Sequence, residues 1–334
     1  KYKKMRTELS SIGKVNAISK LFEGTKYTNT PSTTFTKRGS IAHSHSVLLE
    51  GVDYDLVYTP LKHLGYKAVL SSFGEFYAKL HKPYSLSVKF GLSSRFCFED
   101  VQELWKGVLA ASEEHGVEHL SLDLVPSVNG LCICTSAIGV QREKIISSLP
   151  QSKNMDLICL TGDVGAAYMG LHVLEREKAA FIKSKEKEMK PEMGKYKYIL
   201  ESYLSPQIKP DILERFFEEK IYPIKGYFVT KGLGSAILQL TRETGFGAKV
   251  YLERIPISSR TFAMAEEINM DAITAAMNGG DDYKFIFTIP IEKHEELLRD
   301  FQDYDVIGHL AQPEVGAAMV TPEGAEIPIR AQGY

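Results

Sequence analysis

From Leu157 onward the chain alternates short runs of apolar β-formers with segments of helical spacing, without an internal sequence repeat. "LICLTG" leads into "DVGAAYMGLHVLEREKAAF", read as a long helix opened by Asp163. "GYFVT" leads through Lys231 and Gly232 into another helix, and helical patterns also cover 194–204, 210–219, 259–269 and "EKHEELLRDF". "AKVYLERIPI", "DYKFIFTIPI" and "YDVIGHL" are further strands. A strand with an apolar face must bury it, and the element that follows here is a helix. This half is therefore confined to packing of the α+β or α/β kind.

The first half has longer strands. "LLEGVDYDLVY", 48–58, reads as extended, and "PLKHLGYKAVLSSFGEFYAKLH" as a helix with Pro60 at its entrance. "YSLSVKFGLS" alternates like a half-buried strand. It is followed by the amphipathic "FEDVQELWKGVLAASEEHG", where Trp105 falls on the core stripe and Gly116 ends the helix. "EHLSLDLVPS" and "LCICTSAIGV" are two more strands. A polar stretch without periodicity at 147–156 separates a β-rich domain, 1–148, from an α/β domain, 149–334. A chain of 334 residues is long enough for both cores.

Composition excludes several classes. The net charge is −2, without the basic excess that nucleic acid or an anionic membrane surface attracts. No apolar run approaches the roughly 18 residues that span a bilayer. The basic start lacks the apolar core of a secretory signal, so a cytoplasmic protein is expected; whether the residues before Met5 are native stays open. Cys97, Cys132, Cys134 and Cys159 sit in apolar runs and read as reduced core thiols, with no C-x-x-C pair for zinc. His43 and His45 have no third ligand nearby and read as part of a polar surface loop; no triad follows from Ser44 and Ser46 beside them. "KSKEKEMKPEMG" reads as a solvated loop. "GLG" at 232–234 lacks the third glycine of a dinucleotide fingerprint.

Two glycine-bearing turns stand out. "TGDVG", Thr161 to Gly165, turns into a helix N-terminus and either receives an anion or simply caps the helix. "NGGDDY", Asn278 to Tyr283, places two glycines and two carboxylates before a strand. Together with "VLLEGVDYDLVYTPLKHLGYKAV", "CLTGDVGAAYMGLHVLEREK", "IPISSRTFAMAEEINM" and "NGGDDYKFIFTIP", they make the chain resemble thiamine-monophosphate kinase, of the aminoimidazole ribonucleotide synthetase superfamily. The resemblance runs from Met5 to the C-terminus. It implies a two-domain α+β fold whose N-terminal domain forms a barrel with its copy in a homodimer. It also implies transfer of the γ-phosphoryl of ATP to thiamine monophosphate, with magnesium ions on a ring of aspartates that offset the repulsion between two polyphosphates. The resemblance further implies nucleotide contacts at Gly162, Asp163, Gly165, Lys231 and Gly232. Substrate contacts fall to Asp53, Gly279, Gly280, Asp281, Asp282 and Tyr283.

The acidic ring is where this chain departs. The segment at Lys37 and Arg38 has no carboxylate, Ser46 stands where the family has Asp, and Gly74-Glu75 replaces Ser-Asp. "SLDL" keeps Asp123 without its glycines, "SLPQSK" lacks the family's arginine, and Phe228 and Lys231 replace both aspartates of Asp-x-Ser-Asp-Gly-Leu. Magnesium wants hard carboxylate oxygens, so Glu75 and Asp123 would hold at most a weak, residual ion. The expectation is a degenerate member, impaired or inactive as a kinase, with its catalytic residues unassigned. One alternative is a metal-independent binder or sensor of a nucleotide or thiamine phosphate, in which Lys37, Arg38 and Lys231 neutralise the anion directly. The other is an active kinase with a displaced metal among Glu75, Asp123, Asp281 and Asp282. Expected partners are a second copy and a small phosphate ligand, with no nucleic acid and no membrane.

Overall fold

The computed structural model describes residues 7–27, 40–141, 148–183, 193–300 and 304–331. Lys37, Arg38 and most of the charged 183–194 stretch lie outside the described residues. Two compact units emerge, Lys1–Phe76 with His81–Glu143, and Tyr77–Leu80 with Lys144–Tyr334.

The first unit runs α1 (Leu9–Ile12), α2 (Lys14–Phe22), β1 (Ser40–Leu49), α3 (Leu61–Ala78), β2 (Lys82–Leu92), α4 (Phe98–Glu114), β3 (His119–Pro126) and β4 (Cys132–Gln141). Its sheet has the order β1-β4-β2-β3, antiparallel except for the β2/β3 pair. α3 and α4 cover one face. Their axes approach at Gly65 and Gly107, where an added Cβ would strike the backbone carbonyls of Leu104 and Lys62. Phe73, Phe76, Phe90, Leu104 and Trp105 fill that side, and Trp105 Nε1 donates to the Leu21 carbonyl at 2.9 Å, closing α2 over the core.

Here the sequence expectation needs two corrections. The strand predicted at 48–58 instead occupies 40–49, and residues 51–53 form a turn. His43 and His45, read as a loop, are strand residues paired opposite Ile138 and Ser136. Alternation explains the shift: Ser44 and Leu48 turn into the core while His43 and His45 turn out, a period-two pattern that short polar side chains disguise. Cys132 and Cys134 also depart from expectation. They are half-buried on the uncovered face, with sulfurs 3.8 Å apart, whereas Cys97 and Cys159 are buried.

The second unit continues with β5 (Leu157–Leu160), α5 (Ala166–Lys183), α6 (Met193–Leu204), α7 (Ile212–Glu218), β6 (Gly226–Val229), α8 (Leu233–Thr244) and β7 (Gly247–Tyr251). α9 (Ser259–Glu267), α10 (Ala272–Asn278), β8 (Lys284–Ile289), α11 (His294–Asp300), β9 (Asp305–Ala311), β10 (Ala317–Val320) and β11 (Glu326–Pro328) complete it. The sheet order is β11-β10-β7-β9-β5-β8-β6, with β7/β10 its parallel pair and the other pairs antiparallel. That pairing makes the architecture α+β. Tyr227, Val229, Leu233, Ile237, Leu240 and Ile286 belong to one buried cluster between the sheet and α8. No helix among the described residues is long and apolar enough to cross a membrane.

Candidate functional site

Two turns are locked together at one end of the second sheet. β6 ends at Val229, and the chain turns through Thr230, Lys231 and Gly232 into α8. β8 pairs with β6 and begins directly after the "NGGDDY" turn. Asp281 N donates to the Thr230 carbonyl at 2.9 Å, and Tyr283 N to the Val229 carbonyl at 3.0 Å. Gly280 (φ +80°) lies so close that a Cβ would sit 2.7 Å from the Thr230 carbonyl oxygen. Asp281 and Tyr283 also hold positive φ, 58° and 54°, strain of the kind that concentrates at functional turns. Phe228 is buried, packed edge-on to Tyr283 at 5.2 Å and tilted against Phe285 at 5.5 Å. Lys231 is exposed at the entry to α8. One position where the family's aspartates were expected is thus part of an aromatic core, and the other presents an ammonium to solvent.

The "TGDVG" turn is built differently from the expectation. The helix does not open at Asp163; α5 starts at Ala166. Asp163 Oδ2 instead accepts from Tyr198 Oη at 2.9 Å. The N–H of Gly165 donates to Asp282 Oδ1 at 2.8 Å, so the turn is satisfied by a carboxyl 117 residues along the chain. A cap supplied from so far away leaves no local sequence signature. Gly162 is exposed, and a Cβ there would lie 3.3 Å from Lys284 Cε. Lys284 was absent from the sequence reading, although its place directly after "NGGDDY" was the available clue.

Burial pushes the Asp282 carboxyl up to about 8, against the pull of the Gly165 N–H and the Lys284 ammonium. Burial likewise lowers Lys284, with Asp282 and Asp163 opposing. A carboxyl whose folded value lies above its unfolded one folds preferentially protonated. That contribution is complete below the ordinary Asp range and is lost as pH rises toward about 8. Wild type is therefore expected to lose at least about 1 kcal/mol relative to Asp282→Asn between about pH 5 and about pH 8. Urea unfolding at both pH values measures this; parallel losses in the two proteins would show that the carboxyl is not held protonated.

The first unit carries the remaining candidates. Asp53 Oδ2 accepts from Leu49 N at 2.7 Å and so holds the turn after β1. Asp123 stands on the uncovered face of the sheet, 3.9 Å from Lys89 Nζ, while Glu75 belongs to α3 on the opposite face. The structure does not bring these two carboxylates together. Among the described residues no group of three or more His, Cys, Asp or Glu side chains is placed to hold an ion. Residues 28–39 contain no carboxylate to add. With Asp282 buried and capping a turn, and Phe228 in an aromatic cluster, this donor set does not fit a magnesium site.

No protein-family model matches the chain. A hydrogenase expression/formation protein of Methanocaldococcus jannaschii is 23% identical over 280 residues, which is 81% of this chain and 77% of that protein. Thiamine-monophosphate kinase of Aquifex aeolicus is 22% identical over 321 residues, 95% of this chain and 97% of that one. The solved Aquifex kinase complexed with AMPPCP and TMP matches the fold with a TM-score of 0.70 at 19% identity, over 97% of both chains. Hydrogenase maturation protein HypE in complex with ATP matches with a TM-score of 0.69 at 16% identity, over 94% of this chain and 91% of that chain. Over nearly its whole length the sequence is similar to thiamine-monophosphate kinases, 22% identical to that of Aquifex aeolicus, and the two-sheet α+β architecture is the aminoimidazole ribonucleotide synthetase-like fold of the solved kinase and of HypE.

Proposed function

We propose that this protein is a thiamine-monophosphate kinase-like member of its family that has lost magnesium-dependent phosphoryl transfer while retaining the fold that binds a nucleotide. The observation that carries this is the Val229–Gly232 turn. Phe228 is committed to the aromatic cluster there, and Lys231 occupies the other acidic position. Transfer between two polyphosphates needs cations where charge accumulates, and carboxylates to hold those cations. ATP is the nucleotide this reading takes, because the structurally similar kinase and HypE were solved in complex with AMPPCP and with ATP.

A second reading, metal-independent recognition of ATP or thiamine monophosphate, is favoured by Lys231. An ammonium at the mouth of a twelve-residue helix can meet a phosphate without an intervening ion. Gly162 and Gly232 would then supply backbone to the nucleotide, and the 279–283 turn would face the second substrate.

One experiment separates these outcomes. The full chain, ATP, thiamine monophosphate and magnesium are mixed at high protein concentration, and thiamine diphosphate is sought by chromatography. No product above a heat-killed control is expected, whereas calorimetry is expected to detect ATP binding unchanged by EDTA. A metal-dependent product lost on Asp123→Asn would overturn the proposal and restore a kinase with a rearranged site.

The same reading includes a homodimer through the uncovered face of the first unit's sheet. Support comes from Ile41, Val47 and Leu49, which stand exposed along β1 on that face.

A further inference from the structure

Two thiols stand side by side on the uncovered face of the first unit's sheet. Cys132 and Cys134 are two residues apart on β4, so both side chains leave the sheet on the same side. Their Sγ atoms lie 3.8 Å apart, both residues are half-buried, and neither is in a disulfide. Little covers them from the neighbouring strands. Gly91 of β2 is paired opposite Cys132 and brings no side chain; a Cβ there would stand 3.2 Å from Cys132 Cβ. On β1, Leu49 and Val47 are paired opposite Cys132 and Cys134 and are themselves exposed. The two histidines of β1 are engaged with other groups: His43 Nε2 meets Ser136 Oγ at 3.0 Å, and His45 stacks on the His43 ring at 5.8 Å.

We propose that Cys132 and Cys134 form a two-coordinate site for a soft monovalent cation of the Cu(I) class. Donor type and donor number select that class. Sulfur favours soft ions and disfavours magnesium, calcium and manganese. Zinc and iron–sulfur clusters also take sulfur, but they ask for three or four protein ligands. Among the described residues no group of three or more His, Cys, Asp or Glu side chains is placed to supply them. Two metal–sulfur bonds of about 2.3 Å each bridge sulfurs 3.8 Å apart without moving the strand. Each bond forms as its thiol gives a proton to solvent, so one cation replaces two protons and the ion stays in its oxidation state. The strand fixes the spacing in advance, and both donors come from one chain. The site is therefore counted per chain, and the proposal stands or falls whatever the mass of the assembly. It does not draw on the kinase-like reading.

Cu(I) titrated anaerobically into the reduced full chain, against a chromophoric Cu(I) chelator, tests it, with zinc as the control ion. One Cu(I) per chain is expected, with a thiolate-to-copper absorption band in the ultraviolet that equimolar zinc does not remove. Cys132→Ser and Cys134→Ser are each expected to abolish the band and weaken binding about a hundredfold or more, beyond the loss of an outer-shell partner. Cys97→Ser is expected to bind like wild type, since Cys97 is buried and its Sγ meets Asp100 Oδ2 at 3.1 Å. Circular dichroism checks each variant. A second measurement needs no variant: one Cu(I) per chain is expected to protect Cys132 and Cys134 from maleimide, read by mass spectrometry. The proposal is overturned if Cu(I) is not held at one per chain or if zinc displaces it. It is equally overturned if a folded Cys132→Ser or Cys134→Ser protein binds like wild type, or if Cu(I) leaves these two thiols open to maleimide.

Discussion

Phe228→Asp is expected to cost the second unit about 3–5 kcal/mol and to recruit no magnesium. The change restores the residue type the family resemblance places at that position. Phe228 is 7% exposed, with Tyr283 and Phe285 against its ring. Truncating such a ring alone costs several kcal/mol, and a carboxylate in its place adds desolvation with no cation supplied in return. Lys231→Asp, at the exposed turn, is expected to stay within about 0.5 kcal/mol of wild type. The pair of variants therefore separates two kinds of loss. Of the two positions, 231 lies at the surface and 228 lies in the core. Urea unfolding and magnesium titration of both variants measure the contrast; a Phe228→Asp protein as stable as wild type that binds magnesium would refute it.

Light scattering is expected to return the mass of two chains, and Val47→Asp that of one. A sheet covered on one side ordinarily turns polar side chains outward. Here the outward positions of β1 include Ile41, Val47 and Leu49, at 53%, 49% and 43% exposure, with β1 itself at the sheet edge. Such a patch needs a partner. A carboxylate buried unpaired at its centre should weaken association about a hundredfold or more. The monomer, in which this position faces water, should keep its stability within about 0.5 kcal/mol. A monomeric wild type at high concentration, or an undiminished dimer in the variant, would remove the sheet face as the interface.

Much of the fold was legible because long periodic segments carry their own evidence of burial. The α4 stripe around Trp105, the alternation of β2, and the strand-to-helix steps after Leu157 each predict their element from local spacing. Less legible were elements whose pattern is set by partners. β1 reads as a polar loop until β4 lies beside it, and α10 hides in the short "DAITAAMN". The candidate residues divide in the same way. Phe228 and Lys231 were visible as departures from a motif, whereas Lys284 drew no attention.

The sequence by itself carried the family resemblance, the α+β class and the residue types at the positions where that resemblance expects carboxylates, because residue type and order suffice for those. The tertiary structure alone decided what surrounds the candidate residues. It set Asp282 against Gly165, Asp163 against Tyr198 and Phe228 within an aromatic cluster. It also left Cys132 and Cys134 side by side on an uncovered sheet face. Burial and charge proximity are properties of positions in space, and residues 35 or 117 apart in the chain acquire them only once the sheet has formed.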